Sequence, residues 1–225
     1  MKLFFLTIFF ILLFVSTNFS FGENKFKPGY VITLCNDTLH GYIDYKKWET
    51  NPNKILFKET MAGAGSYFTP ELIWGFHTNG EVYRSANVKI EQSSIKKNEL
   101  SLTRDFIFIT DLVFLRAVIL GEKELFQLKD SRGKESYYIK KDSIYEWLVY
   151  KKYLVKERSK EFIAINNNYI GQLIEYLQGC NSINSVLSKT TYGLNSMIKA
   201  YNYYYDCVRS NMLYRFKYGL PRERQ

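Results

Sequence analysis

PGYVITLCNDTLHGYIDYKKWETNPNKILFKE, residues 28–59, decides how the rest of the chain is read. Residues 30–34 are apolar and rich in β-branched side chains, and Asn36-Asp37 supplies a turn. Residues 38–45 then resume with Leu39, Ile43 and Tyr45 in rough alternation, the pattern of a β-hairpin. Asn and Asp tolerate the left-handed backbone of tight turns, while Gly29 and Gly41 sit where a strand begins or where another backbone can come close. Trp48 and Asn51-Pro52-Asn53 break the pattern, because proline has no N–H to give and biases its neighbour away from helix. Ile55-Leu56-Phe57 opens a third strand, and three strands in about thirty residues predict an antiparallel meander.

Downstream, residues 60–66 form a small-residue loop; Gly63-Ala64-Gly65 is no phosphate cradle, since no Lys-Ser/Thr follows. Thr69-Pro70-Glu71 predicts a helix start giving about one turn before Gly75. Residues 76–91 alternate loosely about Gly80, a second hairpin, and the polar residues 92–104 are read as a loop. Residues 106–120 are the most apolar stretch after the N-terminus, predicting two buried strand segments or one long bent strand. Another hairpin flanks Asp130-Ser131-Arg132-Gly133, and residues 144–155 and 162–165 add two β-rich runs around KERSKE. The period changes after Asn166. Ile170, Leu173, Ile174 and Leu177 recur at helical spacing, with Asn168 or its neighbour to cap the start and Gly179 to end it. A short helix is expected over 182–188 and a clearer one through Leu194, Met197, Ile198, Tyr201, Tyr205 and Val208. The expected fold is α+β: an antiparallel β meander or roll over 23–166, a small helical cap over 167–210 and a basic tail over 211–225.

Residues 1–22 place one lysine before an apolar run and then small and polar residues, the layout of a secretory signal peptide cut ahead of Glu23. The run is shorter than the ~20 residues of a spanning helix. Of 31 Lys and Arg only Lys2 leaves with that segment, so 30 basic residues stand against 22 acidic ones in the remainder, a difference of +8. Such a balance suits acidic partners of the envelope, meaning lipid head groups and acidic glycans, whereas export argues against nucleic acid. Lysines on strand faces and edges also keep sheets from pairing with strangers.

The run KPGYVIT, then DT, HGYIDY, W, NP and KILFKE, followed by YFTPELIWGF, resembles a family of uncharacterised secreted proteins of Bacteroidetes-type bacteria. The likeness extends through VFLRAVILGEKELFQLKDSRGKESYYIKK to IGQLIEYLQGC. Longer members carry a C-terminal outer-membrane β-barrel, and the resemblance implies an address at the envelope while carrying over no assigned activity. An exported chain meets oxidising conditions, so a Cys180–Cys207 disulfide is expected, and the resembling proteins often carry both cysteines. Cys35 is then left as a small strand residue without a basic cluster to activate it.

His40 and His77 are the two histidines, and no CxxC or HxxxH pair starts a metal site, so no metal and no cofactor are expected. His40 near Asp37 and Asp44 can be drawn as a general base, yet polar residues belong at a turn for backbone reasons alone. Tyr201-Asn202-Tyr203-Tyr204-Tyr205 puts aromatic rings all round a helix, which points to packing on several sides. Tyr203 and Tyr204 are therefore candidates for a partner-docking surface as well as for the cap's own core. The leading expectation is a non-enzymatic exported module, periplasmic or outer-membrane-associated, binding an envelope protein, glycan or lipid head group, with peripheral membrane contact allowed. The alternative is an exported hydrolase with a site around His40 or His77.

Overall fold

The computed structural model describes residues 25–158, 160–208 and 214–215; the expected signal peptide and nearly all of the basic tail lie outside them. The opening stretch folds as its pattern dictates, with β1 (Phe26–Thr33) paired antiparallel to β2 (Thr38–Asp44), Gly29 opposite Gly41, and β3 (Ile55–Lys58) beyond. Both glycines are there for close approach: a Cβ on Gly29 would lie 2.2 Å from the His77 carbonyl oxygen, and one on Gly41 2.2 Å from that of Lys58.

The meander is broken once. β4 (Ser66–Phe68) follows β3, but β5 (Ile73–Thr78) pairs with the far side of β1, so these five strands lie side by side in the order β5-β1-β2-β3-β4. The step from Phe68 to Ile73 spans at most about 18 Å of chain. Four strand spacings of a flat sheet come to about 19 Å, so this half curls. Val31, Ile43, Ile55, Phe57, Ile73 and Phe76 fill the curl with Tyr83 and Phe114. The helix expected at 69–74 is instead a turn: the Leu72 N–H donates to the Thr69 carbonyl at 3.1 Å, and Ile73 already starts β5. A strand with two partners waiting outcompetes one turn of helix, whose nucleation is unfavourable.

From β5 the chain runs as a strict meander. Asn79 (φ 49°) and Gly80 (φ 75°) make the tight turn into β6 (Glu81–Glu91). β7 (Phe108–Leu120) is one long strand with a register shift between Ala117 and Ile119; β8 (Leu125–Lys129), β9 (Glu135–Lys141) and β10 (Ile144–Trp147) follow. Tyr138 of β9 reaches back to donate to the Lys89 carbonyl of β6 at 3.1 Å, so this half rolls up around Val82, Ala86, Val88, Leu115, Ala117, Phe126, Leu128 and Trp147. Residues 144–155, expected as one run, split: after Trp147 the chain leaves the main sheet, and β11 (Lys151–Glu157) pairs with β12 (Lys160–Asn166) as a separate two-stranded ribbon.

Helices α1 (Tyr169–Tyr176), α2 (Ile183–Leu187) and α3 (Leu194–Val208) cover the end of β7, β8 and β9. Leu173, Leu177, Leu187, Met197, Ala200 and Tyr201 meet Val118, Ile119, Leu125, Tyr137 and Ile139 across that interface. Asn168 makes no side-chain cap; the Asn166 amide oxygen accepts its N–H at 3.3 Å instead. Gly179 (φ 98°) follows α1 in the left-handed conformation that ends helices. Tyr214–Arg215 (β13) pairs with Leu120 and Ile119 of β7. The fold is thus α+β, a rolled antiparallel sheet with a C-terminal helical cap. Among the described residues no helix is long and apolar enough to cross a membrane.

Candidate functional site

The two histidines flank one tyrosine. His40 of β2 and His77 of β5 both lie opposite Tyr30 of β1, with ring centroids 5.8 and 5.1 Å from it. His77 is buried, which holds its imidazole below the ordinary histidine value, and its Nε2 has no hydrogen-bond partner among the described residues. Neither histidine has a carboxylate among its described hydrogen bonds or ion pairs, and the described residues hold no cluster of three His, Cys, Asp or Glu able to grip a metal. Asp37 stays at the turn, where its N–H bonds the Thr33 hydroxyl at 3.1 Å. The three rings form one row across β2, β1 and β5, with His77 stacked on Tyr30 and His40 tilted against it.

Cys180 and Cys207 are joined as a disulfide, tying the segment after α1 to the end of α3. Cys35 is not a strand residue: β1 ends at Thr33, and the free thiol stands exposed in the turn. Helical rotation of about 100° per residue separates the tyrosine neighbours. Tyr203 remains at the surface, donating to the Ser182 hydroxyl at 2.8 Å. Tyr204, by contrast, is 3 % exposed and bonded to the Gln178 carbonyl, so it is core and offers no docking surface. Tyr201, Tyr205 and Tyr176 clamp the β7–β8 turn: Tyr205 Oη lies 2.8 Å from both the N–H and the carbonyl of Lys123, and Tyr176 Oη accepts the Glu124 N–H at 2.9 Å.

The most elaborated surface lies elsewhere, at the corner where the β6–β7 loop, the β8–β9 turn and the base of the ribbon meet. A cleft of about 320 Å³ opens there, lined by Glu91, Ser93, Lys134, Tyr150, Lys151 and Tyr192 among others. Its floor is a buried ion pair. Glu91 and Lys134 side chains are 1 % and 9 % exposed and touch through Glu91 Oε2 and Lys134 Nζ. The other two ammonium protons go to the carbonyls of Glu91 (2.9 Å) and Ser93 (3.0 Å), while Glu91 Oε1 accepts from the Ser93 N–H and hydroxyl. Burial alone would push the Glu91 carboxyl up, but the bonds from Lys134 and Ser93 outweigh it and hold it below the ordinary glutamate value. Burial likewise lowers Lys134, partly offset by Glu91. One wall is aromatic: Tyr150 and Tyr192 stack at 4.5 Å, with Tyr169 edge-on to both. Tyr192 Oη is already committed, accepting the Tyr137 N–H and donating to the Leu148 carbonyl.

Above the cleft, Lys151 is buried with its ammonium on the Asp105 carbonyl, and the Leu154 N–H donates to the Ser101 carbonyl at 2.8 Å, so the β6–β7 loop runs along the outer edge of β11. Ile95, Leu102, Ile107, Phe108 and Ile109 of the loop and early β7 are all exposed, as are Phe162, Ile163 and Ile165 of β12. The expectation that residues 106–120 are buried fails for this first third: residues 107–111 are exposed, although the rings of Phe106 and Phe108 lie edge-on to Trp147. Phe108 also borders a groove of about 490 Å³ between β6–β7 and β10, with Ile144 and Trp147.

None of these cleft and ribbon residues stood out in the sequence. Glu91 of β6 and Lys134 just before β9 lie 43 positions apart, and since β6 and β9 do not pair, they meet only because the sheet rolls up. One signal was present: Phe162-Ile163-Ala164-Ile165 abandons the alternation of a half-buried strand. No protein-family model, curated protein or solved structure matches the chain.

Proposed function

We propose that the protein is a non-enzymatic module of the cell envelope that binds another envelope component through the cleft-and-ribbon corner. The observation that carries this reading is the contrast within that corner. The buried ionic groups of the cleft floor are spent on one another and on backbone carbonyls, as in the Glu91–Lys134–Ser93 network, whereas the large apolar side chains of the surrounding loop and ribbon are exposed to solvent. Groups held in that way shape a surface, and an exposed apolar patch beside them is the usual mark of an interaction site. The Cys180–Cys207 disulfide fits an oxidising, exported compartment.

The test is retention of the exported protein on purified envelope fractions: sacculi, lipopolysaccharide and membrane vesicles. Saturable retention on at least one, reduced by Phe162→Ser with Ile165→Ser at unchanged melting temperature, is the expected result. Absence of retention on all three overturns it, as does turnover in a hydrolase substrate panel that disappears on His40→Ala.

A further inference from the structure

The β11–β12 ribbon is an unusual object to leave in water. Among the described residues it pairs with no strand of the main sheet and β12 has a free edge, and a lone two-stranded hairpin is at best marginally stable. Residues directly opposite share a face. Leu154 and Ile163, then Lys152 and Ile165, then Lys156 and Glu161 lie on one side; Tyr153 with Ala164 and Val155 with Phe162 lie on the other. Exposed apolar side chains therefore occupy both faces, and the first face is an isoleucine strip bracketed by Lys152 and Lys156. The adjoining loop adds Ile95, Leu102 and Ile107, with Lys96, Lys97 and Arg104 beside them in sequence, and the start of β7 adds Phe108 and Ile109.

We infer that this corner docks onto an anionic lipid surface, with the ribbon and loop isoleucines and phenylalanines entering the head-group boundary and the flanking lysines and arginines meeting lipid phosphates. The inference rests on the envelope-binding reading and names its partner. Charge selects among occupants. Segments 92–109 and 151–166 hold eight basic and four acidic residues, so two copies placed face to face repel. A hydrated acidic glycan answers the charge but leaves the isoleucines in water. An anionic bilayer answers both, since lysine stems lie along apolar surface while their ammonium groups stay at the phosphate level.

Flotation of the exported protein, with loss of residues 1–22 checked by mass spectrometry, provides the test. Vesicles of phosphatidylcholine alone are compared with vesicles containing phosphatidylglycerol, at low and high salt. The expected result is flotation with the anionic vesicles only, weakened by salt and about tenfold by Ile163→Asp with Ile165→Asp or by Lys152→Glu with Lys160→Glu. Both pairs are at the surface, and an unchanged melting temperature confirms that folding is intact. Equal flotation with neutral vesicles, no flotation, or indifference to both variants overturns the inference. Retention on sacculi without flotation sinks the lipid partner while the envelope-binding reading stands. Concentration-dependent dimers that the Ile163 and Ile165 changes abolish would assign the face to a second copy.

Discussion

At the scale of single residues, the Glu91–Lys134 pair shows how much depends on mutual satisfaction. All three lysine protons and both carboxylate oxygens have partners, so removing one member leaves a buried charge alone, at a cost of about 3–5 kcal/mol. Glu91→Gln should therefore lower stability at neutral pH. Because the Glu91 carboxyl is held below its ordinary value, the unfolded chain takes up that proton more readily than the folded protein does. Its contribution is complete above about pH 4.3 and is lost as pH falls through the folded value. Thermal melts from pH 7 to pH 3 should thus fall less steeply below pH 4.3 for Glu91→Gln than for the wild type. His77, also lowered, acts in the same direction but from about pH 6.5 downwards, and His77→Gln should flatten only that earlier limb. Tyr203 and Tyr204 make the second residue-level comparison. Tyr204→Ala empties a packed site and should cost about 3 kcal/mol. Tyr203→Ala should stay within roughly 0.5–1 kcal/mol in the same denaturant titration.

At the scale of elements, the helical cap is held by two devices of different kind. Tyrosine hydroxyls on α1 and α3 grip the β7–β8 turn, and the disulfide joins the segment after α1 to the end of α3 across 27 positions. Reduction, or Cys207→Ser, should lower unfolding free energy by roughly 2–4 kcal/mol, measured by denaturant titration with and without reductant. Thiol labelling of the native, unreduced protein should modify Cys35 alone, since it is exposed and free. Elements were legible in the sequence where local chemistry and period agreed. The β1–β2 hairpin, the Asn79-Gly80 turn and α3 are examples, each specified within a few residues. The segment at 69–74 misled because Thr-Pro-Glu is a good helix start locally, and only the pairing of β5 with β1 and β6 decides against it.

At the scale of the whole molecule, stability is unevenly spread. The two rolls and the cap enclose three apolar clusters, while the ribbon contributes little to any of them. Amide hydrogens of β11 and β12 should therefore exchange faster than those of β6 to β9, and anionic vesicles should slow the ribbon selectively. Composition and order alone settled that the chain is antiparallel β followed by helices and that its charge balance is basic. Those features come from side-chain period, turn residues and counting, all of them local or additive. The Cys180–Cys207 pairing is an expectation resting on the reading of export and on the resemblance, and the structure forms it. Tertiary structure alone decided that β5 returns to β1, that Tyr204 is core, that Glu91 finds Lys134, and that one ribbon stands outside the sheet with its isoleucines uncovered. Each depends on segments tens of residues apart becoming neighbours, and no local pattern carries which neighbour a strand will take once the sheet rolls.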